Sequence, residues 1–391
     1  MKQSKRISAI AATMLVLIAC QKDLRSPGQP KNIQAGKSTE LASRGDDDNN
    51  QGHVYTLTNQ TAGNRVLDYK RAGDGTLTLV ASYATGGNGS GGGLGNQGAV
   101  ILAGDDDDDD VLLAVNAESN TISSFKITGS GLNLKSTVSS GGIGPVSITE
   151  DDGVVYVLNA GGTGNISGFK LGNNDRLTPL SNSTRPLSSS AAGAAQVSFV
   201  RNGKVLVITE KATNKIITYT VNSSGIPGMM HSLTSSNPTP FGFAVRKKDN
   251  IFVSEAVGGA PGASTLSSYE ISNSGVITLT DGPVGAGQSA ACWVVITNNG
   301  KYAYATNTAS DNISVYNVNT SSGNISVNTA IAATTPAGPI DAALSNNSKF
   351  LYVLNGGGHN ISAFEVANNG GLSNLQTVAG LPIGANGLAA R

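Results

Sequence analysis

Two glutamates occupy positions in the sequence where acid–base chemistry is expected. Glu210 ends the apolar run VLVITE (205–210) and Glu255 ends IFVSE (251–255), whereas the comparable runs elsewhere in the chain end in Asn. Two carboxylates that meet at one cavity raise each other's pKa, so that one of them can serve as a general acid or base. The alternative is that both are solvated loop charges or pair with Lys211 and nearby cations. The pattern nominates Glu210 and Glu255 as candidate catalytic residues.

These runs belong to a repeat that occurs seven times. Their last residues are Asn59, Asn116, Asn159, Glu210, Glu255, Asn307 and Asn355, with spacings of 57, 43, 51, 45, 52 and 48 residues. Each run is followed by an alternating run such as NISVYNV (312–318), then by a Gly- or Asn-rich turn, a third run and a fourth. Four strands in about 50 residues are typical of a propeller blade. The sequence therefore predicts an all-β, seven-bladed β-propeller of four-stranded blades over residues 53–391.

The two ends of the repeat region predict how the ring closes. The first copy begins near His53 with the second strand of a blade, and no first strand precedes it. The last copy continues past its fourth strand into the tail 383–390, which resembles the start of an innermost strand. We expect this C-terminal strand to join the N-terminal blade and close the ring.

The order of strands places a set of polar residues around one end of the central channel. In a four-stranded meander, the connections that enter the innermost strand lie on the same face as those that leave the second strand. Propellers commonly bind ligands at such an opening, where several blades meet at one cavity. Asn at the end of a second strand is also explained as a turn residue that caps local backbone. The predicted ligand-binding residues are Gln196, Asp341, Asn159, Asn307 and Asn355.

Two low-complexity segments have plainer interpretations. The run Asp105–Asp110 falls in the first turn of the second blade, on the face opposite the predicted opening. Its six carboxylates could recruit a hard cation such as calcium, but the spacing matches no EF-hand loop, and a solvated turn is the simpler interpretation. No cofactor is otherwise expected. The segment Gly86–Gly98 is interpreted as a flexible connection between blades.

The N-terminus has the features of an export signal. Lys2, Lys5 and Arg6 precede a short apolar core that ends at Ala19, directly before Cys20. The sequence around Cys20 resembles the lipobox of bacterial lipoproteins, which implies cleavage before the cysteine and lipidation of its thiol. We expect residues 1–19 to be a signal peptide and 20–52 to be a lipidated cysteine with a flexible tether. The predicted location is the outer membrane of the cell envelope, on its periplasmic or cell-surface side.

The charge composition limits the classes of partner. The chain has 26 basic and 26 acidic residues, a formal net charge of zero, and no basic stripe interleaved with aromatic residues. Nucleic-acid binding depends on such a positive surface, so no nucleic-acid partner is expected. We expect a monomer whose partners are the membrane, through Cys20, and a small molecule or a protein ligand.

Several runs resemble a known family. YVLN (156–159), YATN (304–307) and YVLN (352–355) resemble the YVTN signature, and the stretch 291–316 is similar to bacterial lactonase-like seven-bladed propellers. That family includes 6-phosphogluconolactonase. The resemblance covers about residues 53–391 and implies the same fold and a lactone as substrate.

Lactone hydrolysis requires a base to activate water and a positive group to stabilise the oxyanion. Glu210 and Glu255 are the candidate bases. The candidates for the positive group are Lys211 and His359, which lies in the last blade. A loop histidine is also explained as an ordinary turn residue. The sequence therefore leaves two hypotheses: a lactone-hydrolysing envelope enzyme, or a non-catalytic propeller that binds a ligand or protein partner.

Overall fold

The structure is a computed structural model that describes residues 51–104, 110–246 and 249–391. Within these ranges the chain is built from β-strands, with one short 3-10 turn at Val257–Gly259. The strands form seven antiparallel sheets, and each sheet contains four consecutive strand positions from the axis outwards. We name these positions a (innermost) to d (outermost). The predicted all-β, seven-bladed propeller is confirmed.

The first four blades follow the chain order. Blade 1 contains β1 (Gly52–Leu57), β2 (Arg65–Arg71) and β3 (Leu77–Ala84), and blade 2 contains β4 (Val100–Ala103), β5 (Val111–Asn116), β6 (Thr121–Thr128) and β7 (Gly131–Ser139). Blade 3 contains β8 (Pro145–Asp151), β9 (Val154–Asn159), β10 (Asn165–Leu171) and two short segments that both pair with β10, β11 (Leu177–Pro179) and β12 (Arg185–Pro186). Blade 4 contains β13 (Ala194–Val200), β14 (Val205–Glu210), β15 (Lys215–Val221) and β16 (Pro227–Thr234).

The remaining blades repeat the same arrangement. Blade 5 contains β17 (Pro240–Arg246), β18 (Asn250–Glu255), β19 (Thr265–Ile271) and β20 (Ile277–Gly285). Blade 6 contains β21 (Ala291–Ile296), β22 (Tyr302–Asn307), β23 (Asn312–Val318) and β24 (Ile325–Thr334). Blade 7 contains β25 (Pro339–Leu344), β26 (Phe350–Asn355), β27 (Asn360–Val366) and β28 (Leu372–Ala379), and β29 (Asn386–Ala390) follows it.

The last strand closes the ring as the sequence predicts. β29 pairs antiparallel with β1, with Ala389 opposite Tyr55 and Ala390 opposite Val54. Beyond the strand, the backbone N–H of His53 donates to the carbonyl of Arg391 at 3.1 Å, and the Arg391 N–H donates back at 2.9 Å. The C-terminus therefore supplies strand a of blade 1, so blade 1 is stabilised from both ends of the described chain.

Burial decreases from the inner strands to the rim. β14, a strand b, is buried along its whole length, because neighbouring blades cover both of its faces. β16, a strand d, is mostly exposed, with Pro227 its one buried residue and Met229 72% exposed. The core lies between blades, where apolar side chains such as Val115 of blade 2 and Val157 of blade 3 share one cluster.

The repeated tyrosine of the YVLN and YATN runs joins neighbouring blades. The hydroxyl of Tyr156 donates to the carbonyl of Gly225 in the next blade at 2.6 Å. Tyr304 and Tyr352 make the same bond to turn glycines of their next blades, each at 2.9 Å. A buried tyrosine needs a partner for its hydroxyl, and a turn carbonyl of the adjacent blade provides one. This explains why tyrosine recurs at this point of the repeat.

The two faces of the disc carry different connections. We call the loop face the one that carries the d-to-a and b-to-c connections, and the turn face the one that carries the a-to-b and c-to-d turns. Strand a of every blade runs from the loop face to the turn face, so each inner strand begins at one end of the channel and ends at the other.

Candidate functional site in the central channel

The central channel contains a cavity of about 390 Å³. Its wall comes from the inner strands of blades 1, 2, 3, 4 and 7 and from the residues that lead into β4. Apolar residues and glycine are the more numerous members of the wall, but polar atoms form the larger part of its exposed surface. Its polar side chains belong to Gln97, Thr149, Glu150, Gln196, Ser198 and Asp341. A concave surface on which polar groups from several blades converge is a candidate small-molecule site.

The cavity is accessible from the turn face. Leu102, Glu150 and Ser198, which line it towards the ends of their strands, are partly exposed. At the loop-face end of the channel, Ala195 and Cys292 at or near the starts of their inner strands are completely buried. From the order of strands in the sequence we expect the opening on the loop face. The structure differs from this expectation, because a chain segment covers that end.

The covering segment is the glycine-rich connection Gly86–Gly98, between strand d of blade 1 and strand a of blade 2. The interpretation as a flexible connection is wrong in one respect: the segment is fixed by hydrogen bonds to several blades. The Gly91 N–H donates to the carbonyl of Asn59 in blade 1 at 2.7 Å, and the Gln97 N–H donates to Ala195 in blade 4 at 3.2 Å. We call Leu94–Gly98 the plug, because its side chains occupy the axis.

Two plug residues reach across the ring. The indole N–H of Trp293 in blade 6 donates to the carbonyl of Asn96 at 2.5 Å, and the Asn386 amide of the closing strand donates to the Asn96 side-chain oxygen at 3.1 Å. The side-chain amide of Gln97 donates to the Val294 carbonyl of blade 6 at 2.8 Å and accepts from its N–H at 3.2 Å. The plug therefore joins blade 2 to blade 6 and to the ring closure.

The composition of the segment suits this path. Gly89 packs against the backbone of blade 1, where a Cβ would lie 2.1 Å from the carbonyl carbon of Asn59. Gly98 has φ +81°, a left-handed conformation that glycine adopts without steric cost, and its carbonyl accepts from the N–H of Ile148 at 2.9 Å. The close approach at Gly89 requires a residue without a side chain, and the backbone conformation at Gly98 favours one.

Asp341 is the buried acid of the cavity wall. It is 2% exposed, and its Oδ1 accepts the N–H of Ala342 at 2.8 Å, while its Oδ2 has no hydrogen-bond partner among the described residues. Burial raises the pKa of Asp341 well above its ordinary value, opposed by hydrogen bonds from the backbone N–H groups of Ala342 and Leu388. An unpaired buried carboxyl oxygen is uncommon in folded proteins.

Gln196 is the second predicted ligand-binding residue in the cavity wall. Its amide donates to the carbonyl of Phe243 in blade 5 at 3.0 Å and accepts from the Phe243 N–H at 2.6 Å. This pair repeats the contact between Gln97 and Val294. Gln196 therefore holds two inner strands together and presents its side chain at the wall.

Lys211 lies beneath the plug and outside the cavity wall. Its Nζ donates to the carbonyl of Gly95 and lies 4.5 Å from the centroid of the Phe241 ring. Burial lowers the pKa of Lys211 to about 7. An ammonium over an aromatic face is attracted by the ring quadrupole, so Lys211 attaches the plug to blades 4 and 5.

Glu255 and Glu210 are buried at the ends of their strands, outside the cavity wall. Glu255 accepts five hydrogen bonds: from Ser235, Asn237 N–H and Tyr269 at 2.8, 3.1 and 3.0 Å, and from Thr265 and Ser267 at 2.6 and 2.8 Å. Glu210 accepts from the Ser188 N–H at 2.8 Å, from the Ser188 hydroxyl, and from Thr213 at 2.5 Å. Both carboxylates thus connect the d-to-a connection to the next part of their own blade, which is strand β19 for Glu255 and the b-to-c connection for Glu210.

The predicted ligand-binding asparagines occupy the same repeat position and make similar local bonds. The amide of Asn307 donates to Asn312 and Ser314, both at 2.8 Å, and that of Asn355 donates to Asn360 and Ser362 at 2.8 and 2.9 Å. Asn159 donates to Asn165 at 2.9 Å. None of these three asparagines lines the cavity.

His359 occupies a turn position that three other blades fill with Asn or Asp. Its φ is +51°, and the equivalent residues Asn120, Asn214 and Asp311 have φ values of +55°, +56° and +52°. The left-handed region is most accessible to Asn and Asp, with His also enriched there. His359 is partly exposed on the loop face and is not part of the cavity wall.

The described residues show neither a metal cluster nor a membrane helix. Within the three described ranges, His, Cys, Asp and Glu side chains form no group of three or more that could hold a metal ion. Asp105–Asp109 lie outside the described residues, and Asp110 pairs with Lys126. In the part of the chain that the structure describes, no helix is long and apolar enough to span a membrane. Cys20, the signal peptide and the tether up to residue 50 also lie outside the described residues.

Comparisons with known proteins agree with this architecture. The model of the family described as "Lactonase, 7-bladed beta-propeller" matches residues 270–385. No curated protein matches the chain.

Solved structures with the same fold cover most of the chain. A Bacteroides fragilis protein assigned as a 6-phosphogluconolactonase aligns with a TM-score of 0.66 at 15% identity, covering 89% of this chain and 100% of its own. A Lactobacillus plantarum protein aligns with a TM-score of 0.67 at 18% identity, covering 87% and 99%. The Pseudomonas aeruginosa periplasmic gluconolactonase PpgL aligns with a TM-score of 0.63 at 15% identity, covering 86% and 98%.

At these identities the structural likeness establishes the fold, and the family match adds its own evidence from the sequence. The resemblance of the YVLN and YATN runs to the lactonase-like propellers is confirmed by the family match, which reaches from the end of β19 to the residue before β29, and the chain has the seven-bladed fold of these proteins.

Proposed function

We propose that the protein binds a sugar-derived lactone in the channel cavity and hydrolyses it there, with Asp341 as the general base. The observation that carries the proposal is the buried Oδ2 of Asp341, which has no described partner and belongs to the wall of a cavity of about 390 Å³. The match of residues 270–385 to the lactonase family and the fold shared with PpgL support the choice of substrate.

The proposed reaction is an addition of water followed by ring opening. The carboxylate of Asp341 takes a proton from water while the water oxygen bonds to the lactone carbonyl carbon, whose oxygen becomes an oxyanion. Collapse of this intermediate re-forms the carbonyl and breaks the ring C–O bond, and the proton held by Asp341 passes to the ring oxygen. The product is an open hydroxy acid.

Thr149 is the proposed donor to the oxyanion. It lies in the cavity wall in blade 3, and its Oγ1 accepts the N–H of Phe199 at 3.1 Å, which leaves its own hydroxyl hydrogen to donate. Blades 3 and 7 are three positions apart in the ring, so Thr149 and Asp341 face the cavity from different sides.

The catalytic assignment of Glu210, Glu255 and His359 stays a separate prediction. It would require the reaction to occur on the loop face, with a carboxylate released from its hydroxyl and N–H donors. Asp341 needs no such release, and this favours the cavity over the loop face.

A non-catalytic binding protein is the second candidate. Among the described residues of the cavity wall there is no Lys, Arg or His, so an oxyanion would rely on uncharged donors. A propeller of the cell envelope that holds a neutral ligand without changing it fits the same cavity.

One assay separates the candidates. Acid release from a panel of lactones is followed in a pH-stat with wild type, Asp341→Asn, Glu210→Gln and Glu255→Gln, after subtraction of spontaneous hydrolysis. The proposal expects Asp341→Asn to lower kcat/KM by roughly 100-fold or more and the two glutamine variants to stay within a few-fold of wild type. Loss of activity in the glutamine variants with Asp341→Asn unaffected would transfer the reaction to the loop face. Tight binding without hydrolysis would favour the second candidate.

We also propose that Cys20 anchors the protein to the outer membrane. The support is the sequence Leu17–Cys20, which follows a short apolar core. Incorporation of a labelled fatty acid by the full chain and its loss in Cys20→Ala, together with release of the variant from the membrane fraction, is the expected result. Equal labelling of both forms would contradict the anchor.

A further inference from the structure

We infer that the cavity accepts an uncharged lactone and rejects a phosphorylated one. The inference rests on the proposed function, because it concerns the ligand of the same cavity. It separates this chain from the activity for which its Bacteroides fragilis structural neighbour is assigned.

The charges of the wall are the first argument. The described wall residues include the carboxyl groups of Asp341 and Glu150 and no cationic side chain. A phosphate group carries about two negative charges near neutral pH. Moving such an ion from water into a cavity whose ionisable side chains are both acidic is costly unless cations and hydrogen-bond donors replace its hydration.

The backbone N–H groups around the cavity do not take the place of the missing cations. Phosphate sites without Lys or Arg use free N–H groups, most often at the N-terminus of a helix, and the described ranges contain no α-helix. Several N–H groups of the inner strands are already bonded between blades. Val197 N–H donates to Ser147 at 3.1 Å, and Val294 and Phe243 N–H groups donate to the glutamine side chains.

The buried amine near the axis does not serve this purpose. Lys211 lies behind the plug, where its Nζ bonds to the carbonyl of Gly95 and contacts the Phe241 ring. It would have to break both contacts, and the plug would have to move, before it could meet a ligand in the cavity.

The same electrostatics give product release a direction. Hydrolysis converts an uncharged lactone into a hydroxy acid whose carboxyl group is ionised at neutral pH. The carboxylate formed is disfavoured in a cavity that lacks a cation, so the product leaves towards the turn face. The lack of a cationic side chain in the wall therefore favours binding of the uncharged substrate over the charged product.

Ser198 offers a position to add the missing charge. It lies in the wall and is partly exposed towards the turn face. Arginine there would place a cation at the open end of the cavity, and methionine is the matched uncharged control.

The test compares glucono-1,5-lactone with its 6-phosphate in wild type, Ser198→Arg and Ser198→Met. We expect wild type to favour the uncharged lactone at least tenfold in kcat/KM, and Ser198→Arg to reduce this preference about tenfold relative to Ser198→Met, with the effect falling as salt is added. Calorimetric binding of gluconolactam and its 6-phosphate to the same proteins provides a readout that needs no turnover.

The outcomes separate the two claims. Hydrolysis that favours the phosphorylated lactone overturns this inference and leaves the proposed function in place. Absence of hydrolysis with preferential binding of the uncharged lactam overturns the proposed function and leaves this inference in place. Binding of neither lactam, without hydrolysis, overturns both.

Discussion

The side chain of Gln97 pairs with the backbone of Val294 on the other side of the central channel. The two hydrogen bonds, of 2.8 and 3.2 Å, form the pattern that a neighbouring strand would form, although the residues belong to blades 2 and 6. A side-chain amide that carries both a donor and an acceptor can replace a strand edge in this way. The channel is thereby closed at the loop face and left as a cavity that is accessible from the turn face.

Removal of the Gln97 amide should loosen the plug. Gln97→Ala deletes both bonds and leaves the N–H and carbonyl of Val294 without their partner, which should cost about 1–3 kcal/mol of unfolding free energy. Gln60→Ala is the control, because Gln60 is exposed. Denaturant unfolding measures the difference. Equal stability of the two variants would show that the contact contributes nothing.

Loss of the closing strand should destabilise the whole ring. Leu388 on β29 is 6% exposed, whereas Ile383 just before the strand is 63% exposed. Leu388→Ala should lose about 2–4 kcal/mol and Ile383→Ala almost nothing. Deletion of residues 383–391 should lower the thermal midpoint far more than either substitution. An unchanged midpoint after the deletion would contradict the closure.

Glu255 should prove important for stability. Glu255→Gln replaces one acceptor oxygen with an NH₂ group in a buried site that supplies five donors, and we expect a loss of about 1–3 kcal/mol. Glu270→Gln in the same blade is the control, because the Glu270 side chain is 62% exposed. Lost turnover with unchanged unfolding in Glu255→Gln would instead support the catalytic assignment of this residue.

The raised pKa of Asp341 should make stability fall with pH. Between its ordinary value in the unfolded chain and its raised value in the folded protein, the folded state holds a proton that the unfolded state has released. Folding stability is then fully present below the unfolded pKa of about 3.9 and declines by about 1.4 kcal/mol per pH unit as pH rises towards the folded pKa. Asp341→Asn removes the ionisable group, so the stability of the variant relative to wild type should rise with pH across that window. A difference independent of pH would contradict the burial of an ionisable carboxyl.

Lys211 should make the folding stability depend on pH in a higher range. Because burial lowers its pKa to about 7, the folded state loses its proton at a pH where the unfolded chain still keeps it. The stability that depends on this group should therefore rise between about pH 7 and the unfolded pKa of about 10.4, and be lost as pH falls through 7. Lys211→Met, measured against wild type across this range, should abolish the slope. The same slope in both proteins would assign it to other groups.

The repeat made the fold predictable, because each blade has the same order of strands and a similar apolar run in its strand b. Tyr352 and Tyr304 recur because each bonds to a turn of the next blade, and the missing first strand near His53 predicted its replacement by the C-terminal tail. Gln196 and Asp341 were predictable as channel residues from their places on inner strands, and both lie in the cavity wall. Whether they bind a ligand stays a prediction.

The plug could not be predicted from local pattern. Its contacts join residues as far apart as Gln97 and Val294, and glycine-rich sequence without periodicity does not specify a path. One signal was available: the spacing of 57 residues between Asn59 and Asn116 is the longest in the repeat and marks an insertion in the connection between blades 1 and 2. The bonding of Glu210 and Glu255 was equally hidden, since part of it comes from the d-to-a connections at Ser188 and Ser235, whose paths the local sequence does not specify.

The pH dependence of kcat/KM for an uncharged lactone, measured with wild type and Asp341→Asn under identical correction for spontaneous hydrolysis, tests the central claim most directly. If Asp341 is the base of the channel cavity, the wild-type value rises with pH as the carboxyl ionises, and the variant shows neither the rise nor more than about one hundredth of the activity. A variant that retains both the activity and the profile of wild type would contradict the claim.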